Sequence, residues 1–520
     1  MPASATSPEK SSCRPIPVRR SLMILGAIFA SIPTLFVILY YPVANWLVLK
    51  RWQHFREHWE ALGENFVTEP IAGNSIPDDE NFAQAPIIKE LYRIQSRSHD
   101  HDHDHDHDHD HDHDHDHDHD HDHIEPTEGS TTDPADSSEP RSQLDSLDVF
   151  STGQLLNPPN HGLLNYFSGR PVDLVPSLPD SIRTTADTED AIIRAFSPHS
   201  GTIDALFEAA SRPRAHFIVK PNGDLAHMPA MINAYHSLRL LSLALVDSGT
   251  DKRDLAFSHI QGTLRAIRHG TDYPGLPSLT IRTLALESAG LEPIWQALYR
   301  QRFSDAQWEA IDRELTEFDF GPRFLRTLRY ERSVLIRQVE RGFRIRSRQP
   351  FQNPPAWIDL AGLHEAATLT QRYWFSAPKG LRPLTEWPRI DQLETVEAIV
   401  DQIPTTDENL IVKLGVQPVS ELARQAQTVE IARDLARIAI SLERHRLATG
   451  TLPGSLSELT PKWLSEIPAN VETGHPPRFE KQEEGNGYRL RNLGDQSDGN
   501  GPIWQMPLPA PLSPEVASPS

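Results

Sequence analysis

From Ser21 to Leu49 the chain runs for 29 residues without a charged side chain, with Arg19 and Arg20 before the run and Lys50 and Arg51 after it. A helix needs about 20 apolar residues to cross a hydrocarbon core, and Leu22 to Tyr41 supply that length in Leu, Ile, Phe, Val and Ala. The pattern predicts a transmembrane anchor over 21–49, in which Pro33 is tolerated mid-span and Pro42 marks the end of the hydrocarbon part. Tyr40, Tyr41, Trp46 and Trp52 gather at its C-terminal side, where amphipathic rings favour the headgroup layer.

Further along, apolar residues recur at helical spacing from Asp187 to Arg346, enough for five or six helices with short connections. Ser304 and Gln307 form a capping-box pattern before Trp308, Ile311 and Leu315. Gly249 and Gly270 stand where helices should end, and Thr250 or Asp251 could cap the segment carrying Leu255, Ile260, Leu264 and Ile267. From 347 to 419 Pro-rich breaks alternate with short helices. Val429, Ala432, Leu435, Ala436, Ile438, Ala439 and Leu442 then define one apolar helical face ending near Gly450. Arg478-Phe479 and Tyr488-Arg489-Leu490 read as two short strands joined through Gly485 to Gly487.

The expected fold class is therefore mainly α. It comprises a cytoplasmic tail (1–20), the anchor (21–49), a juxtamembrane segment (50–95), a disordered linker (96–146), an α-helical bundle or irregular solenoid (147–346), a Pro-rich helical connector (347–419), a small α+β C-terminal module (420–505) and a disordered tail (506–520).

Charge orients the anchor. Lys10, Arg14, Arg19 and Arg20 precede it, whereas Lys50, Arg51 and Arg56 follow within 15 residues, a bias that places the N-terminus in the cytoplasm and the bulk of the chain in the periplasm, as a single-pass inner-membrane protein. A cleaved export signal, even a twin-arginine one at Val18 to Leu22, would share the basic-then-apolar order. The run is longer than the usual signal core and no small-x-small cleavage site follows it, so a retained anchor is the expectation. Cys13, the only cysteine, precedes the span and leaves the remainder without disulfides.

Twelve of the acids behind the net charge of −22 lie in one tract, and removing them leaves −10 for the rest, an acidic balance that argues against nucleic acid as a partner. In that tract 13 histidines alternate with 12 aspartates: His99, His101, His103, His105, His107, His109, His111, His113, His115, His117, His119, His121 and His123. A strictly polar alternation has no apolar face to offset the entropy of ordering, so a solvated linker is the expectation. Imidazole and carboxylate also ligate Zn²⁺, Ni²⁺ and Cu²⁺, and the thirteen histidines are the candidate metal ligands, binding loosely and without selectivity. No other cofactor is expected.

The catalytic motifs that occur lack their context. His54-Phe55-Arg56-Glu57-His58 fits the inverted zinc-protease pattern but directly follows the anchor. Ser376-Ala377-Pro378-Lys379 fits S-x-x-K with a proline breaking the helix that should present it. His216, His227, His236, His259 and His269 have no ligand spacing. Arg323, Arg326, Arg329, Arg332, Arg337 and Arg341 recur at helical intervals and read as a solvated face paired with Glu331 and Glu340, or as a dock for an acidic partner.

Leu435 to Ala439, Leu442 to Ala448, Gly450, Leu452-Pro453, Ser455-Leu456 and Leu459 resemble the C-terminal module of uncharacterised single-span membrane proteins of the Verrucomicrobia and Planctomycetes. Glu64-Asn65-Phe66, Ile76 to Ala83, Ala210 to Pro213 and Tyr330-Glu331-Arg332 match the same proteins. The module is also similar to the globular part of type II secretion pseudopilins, although the early glutamate of a pseudopilin helix has no counterpart after Leu22. That resemblance implies a calcium-binding loop at Gly494 to Gly501, with Asp495 and Asp498 as its candidate carboxylates. The expected function is that of a bitopic protein in the lipid bilayer whose exported helical domain binds an envelope protein partner without catalysis. The alternative is an envelope metal-buffering protein working through the His/Asp tract.

Overall fold

The computed structural model describes residues 18–67, 76–90, 188–217, 227–348, 355–376, 387–406, 409–469, 474–482, 487–491 and 503–506, with side chains from residue 39 onward in the first of these. They are mainly helical, with one small sheet. The chain divides into two compact units: residues 1–68, 331–384 and 391–418 form the first, and residues 69–330, 385–390 and 419–520 the second. This division cuts across the boundaries expected from sequence. It puts the residues just after the expected anchor together with most of the Pro-rich stretch.

The first unit is built on α1 (Val18–Ala61). Val48, Leu49, Trp52, Phe55 and Trp59 recur every three or four residues and turn one face of α1 onto Ile336, Val339, Phe343, Leu360 and Leu363. Trp52, expected in the headgroup layer, is instead 1 % exposed in this core. The reason is the spacing: it shares a face with four other apolar residues, and that face has a protein partner. α1 stops where Gly63 takes φ +95°, a backbone state that favours glycine. The amides of Gly63 and Glu64 bond back to the carbonyls of Glu60 and Trp59. That turn sends Glu64 and Phe66 back into the unit.

The core's other wall comes from α9 (Gly321–Arg346), whose residues 331–346 belong to this unit, and from α10 (Ala356–Tyr373). α12 (Leu410–Gly415) packs on α10, and α11 (Ile390–Asp401) precedes it in the chain. The expected solvated row of α9 holds only in part: Arg337 and Arg341 are exposed, whereas Arg323 and Arg332 are buried. Arg332 is buried; it donates to Glu64 at 2.7 Å and to Gln371 at 2.8 Å, and its guanidinium lies 4.4 Å from the Phe66 ring centre and 4.3 Å from that of Phe375. In the second unit Arg323 and Arg326 both donate to Asp272, at 2.6 and 3.0 Å.

The second unit holds α2 (Thr188–Phe196), α3 (Ser200–Ala210), α4 (His227–Asp247), α5 (Arg253–Gly270), α6 (Leu276–Ala285), α7 (Glu292–Tyr299), α8 (Asp305–Thr316) and the start of α9. With α9, eight α-helices among the described residues therefore occupy the stretch in which the spacing suggested five or six. α6 and α7 are joined by a π-helical turn, Leu286–Leu291; Pro293, which has no N–H to offer, stands two residues beyond it. α8 starts with the expected Ser304/Gln307 capping box. Thr250 and Asp251 instead form a 3₁₀ turn, and α5 begins without a side-chain cap. Arg239 and Glu292 make a buried two-bond ion pair between α4 and α7, with Arg239 Nη2 donating to Glu292 at 2.6 Å.

α13 (Ser420–Thr449) is the central rod of this unit, packed by α6, α7, α8 and the sheet. Its expected apolar face is buried, and so are Glu430, Arg433, Glu443 and Arg444. These charges are buried because they are paired: Arg444 donates to Asp305 at 2.7 Å and Glu309 at 3.0 Å, and Trp387 donates to Glu430 at 2.5 Å. Gly450 ends the helix at φ +82°. The sheet is antiparallel in the order β1 (Arg478–Lys481), β2 (Tyr488–Arg491), β3 (Ile503–Met506). Phe479 pairs with Leu490, which pairs with Trp504. The third strand was not expected from sequence, since Ile503 to Met506 is short and sits between Pro502 and Pro507.

Candidate functional site

α1, α9 and α10 enclose a half-open cleft of about 400 Å³ in the first unit. Its floor is apolar, made by Leu49, Trp52, Phe343 and Leu360, and its rim carries Arg56, Glu57, Glu60, Glu340 and Arg344. Three carboxylates face two guanidiniums. The pairing is local: Trp52 Nε1 donates to Glu340 at 2.7 Å, and Arg56 donates to Glu340 at 2.9 Å and to Glu60 at 3.0 Å. Burial works against the charge on Arg56, but Glu60 and Glu340 outweigh it and hold its pKa above the ordinary value. Glu57 is exposed at the mouth. Trp52 and Leu360 are sealed beneath it, so what the cleft offers a partner is its rim, where a cation can meet Glu57 and Glu60.

Trp52 carries the strongest signal in the sequence for this site. Its i, i+4 and i+8 neighbours Arg56 and Glu60 share its side of the helix, and that repeat continues the apolar spacing begun at Val48. Next to it, the ring of Phe55 lies 5.4 Å from that of His364, whose pKa is lowered by burial and then by Arg51.

Glu340→Ala leaves the Trp52 indole N–H and one Arg56 contact without an acceptor. A loss of about 1–2 kcal/mol is expected. The readout is urea denaturation followed by tryptophan fluorescence; an unchanged midpoint would mean that the pair contributes nothing.

The candidate metal ligands His99 to His123 and the candidate calcium carboxylates Asp495 and Asp498 lie outside the described residues. His54, Glu57 and His58 are exposed on α1. Among the described residues no group of three or more histidines, cysteines and acids stands close enough to hold a metal ion. Ser376 donates its hydroxyl to the Gln371 carbonyl at 2.6 Å, and Lys379 lies outside the described residues. His259 and His269 are buried, the first against Phe207 and the second stacked on Phe82. Among the described residues no helix is long and apolar enough to cross a membrane. The expected span, Leu22 to Tyr41, falls mostly on residues of α1 whose side chains are outside the described set. No protein family model, no curated protein and no solved structure matches the chain.

Proposed function

We propose that the protein is a bitopic component of the cell envelope in which α1 is both membrane anchor and structural member of the first unit, and that its exported helices bind another envelope protein. One observation carries this reading: α1 continues without a break from Val18 to Ala61, and its last three turns are built into a protein core. An anchor joined this way holds its unit at a fixed height and angle instead of on a leash. At 1.5 Å per residue, Leu49 stands about 12 Å beyond Tyr41, so the cleft opens just outside the headgroups. Leu39, Tyr40, Val43, Trp46 and Leu47 are exposed apolar residues on α1, the composition expected of a helix leaving the bilayer. The partner offers the cleft a basic side chain, which the acidic rim complements.

Photo-crosslinking from position 53 or 57 in intact cells is expected to capture one reproducible partner, with the yield falling when Glu57 and Glu60 are changed to Gln. Carbonate extraction that releases the protein, or periplasmic protease that spares the bulk of the chain, would refute the anchor or its orientation. Deleting residues 99–123 is expected to abolish retention on a nickel resin and to leave the crosslink intact. A crosslink lost with the tract would transfer the function to metal handling.

A further inference from the structure

Arg282 of α6 is fully buried, yet only one edge of its guanidinium is used. Nη1 donates to the Arg268 carbonyl at 3.2 Å and approaches the Thr271 hydroxyl at 3.4 Å, while Nε and Nη2, which together form the side-on fork of an arginine, have no hydrogen-bond acceptor. One face lies 4.7 Å from the Phe318 ring centre. Beside it, Arg323 spends Nη1 on the Thr271 carbonyl and Nη2 on Asp272, and its Nε also lacks an acceptor. Arg282 Nη2 and Arg323 Nε are each 3.8 Å from the same atom, Asp319 Oδ1, too far for a hydrogen bond. The Asp319 side chain is itself 58 % exposed. Three buried donors thus converge on a position that a solvent-facing carboxylate covers without filling.

We propose that this position is an oxyanion site: Arg282 Nε and Nη2 grip two oxygens of a small oxyanion such as inorganic phosphate, Arg323 Nε holds a third contact, and Asp319 is the gate that swings into solvent as the anion enters. The fork geometry suits a planar or tetrahedral oxyanion and discriminates against chloride, which has no second oxygen to offer. Charge supports the assignment. Asp272 is already shared between Arg323 and Arg326, so Arg282 has no carboxylate within hydrogen-bond distance, and burial followed by the like charge of Arg323 pushes its pKa well below the ordinary value. Asp319 is both plug and competitor, since its own charge opposes the incoming anion.

The test is the thermal midpoint of the detergent-solubilised full chain titrated with sodium phosphate, sodium sulfate or sodium chloride at constant ionic strength. Phosphate and sulfate are expected to raise the midpoint saturably and chloride is not. Asp319→Ala, which removes the plug, is expected to tighten phosphate binding about tenfold, the order of a like charge removed from about 4 Å. Arg282→Met is expected to abolish the response, and Asp319→Ala keeps the idea testable if that variant fails to fold. A midpoint that phosphate and sulfate leave where chloride leaves it, in both the wild type and Asp319→Ala, overturns the proposal, and leaves Asp319 as the internal counter-ion of Arg282.

Discussion

Arg332→Ala should remove most of the stability of the first unit, on the order of 3–5 kcal/mol. The guanidinium is bonded at once to a carboxylate, a side-chain amide and a main-chain carbonyl: Glu64, Gln371 and the Asn65 carbonyl, the last at 3.1 Å. Its two faces are covered by Phe66 and Phe375, so it also fills the space between two rings. The Glu64 side chain is 0 % exposed. Truncating Arg332 would therefore take its cation from a buried carboxylate and open a cavity, and each alone is a costly change. Arg332→Lys should recover little, because an ammonium neither forks between Glu64 and Gln371 nor stacks on a ring. The double variant Arg332→Met with Glu64→Leu should recover more than either single change, since a buried pair replaced by apolar groups avoids the unpaired charge. Pulse proteolysis across a urea series, with cleavage mapped to the first unit, is the measurement. A loss under about 1 kcal/mol for Arg332→Ala would show that Glu64 is solvated and that the sandwich is not the anchor of the turn after α1.

That arginine also shows where the sequence was legible and where it was not. The spacing of Arg323, Arg326, Arg329 and Arg332 correctly marks one helix, but helical spacing says nothing about which partners approach it. The partners of Arg332 come from Glu64 and Gln371, 268 and 39 residues away in the chain. Local patterns fared better. The Ser304/Gln307 box, the Gly450 stop and the apolar face of α13 all rest on contacts within a turn or two, and all appear as the spacing predicts. Trp52 was misread because aromatic residues after an apolar run also mark headgroup layers, and only its companions at 48, 49, 55 and 59 reveal a protein-facing side. Arg282 gave no signal at all: one arginine in a helix of Leu, Thr and Ala looks like a surface residue until α9 and the Phe318 to Phe320 segment close over it.

Acidification from pH 7 should destabilise the second unit steeply, and two histidines should account for most of the slope. Burial holds the imidazoles of His259 and His269 at about 4, against an ordinary value of about 6.5; for His269 the neighbouring Arg268, Arg282 and Arg265 push the same way and Asp272 opposes them. Between those two pH values the unfolded chain takes up protons that the folded chain refuses. Stability is therefore complete above about pH 6.5, declines as the pH falls, and is fully lost from these groups near pH 4. The size is on the order of 3 kcal/mol for each histidine, a large part of the 5–15 kcal/mol that holds a typical domain together. Asp312 and Glu430, whose pKa values burial raises, act in the opposite sense, so the slope of the wild type alone does not isolate the histidines. The pair of variants His259→Gln and His269→Gln does, because glutamine cannot titrate and retains a polar group beside Phe207 and Phe82. The denaturation midpoint measured at pH 7, 6 and 5 should fall less in the double variant than in the wild type. Parallel slopes would mean that water reaches both rings and that their burial costs the folded state nothing.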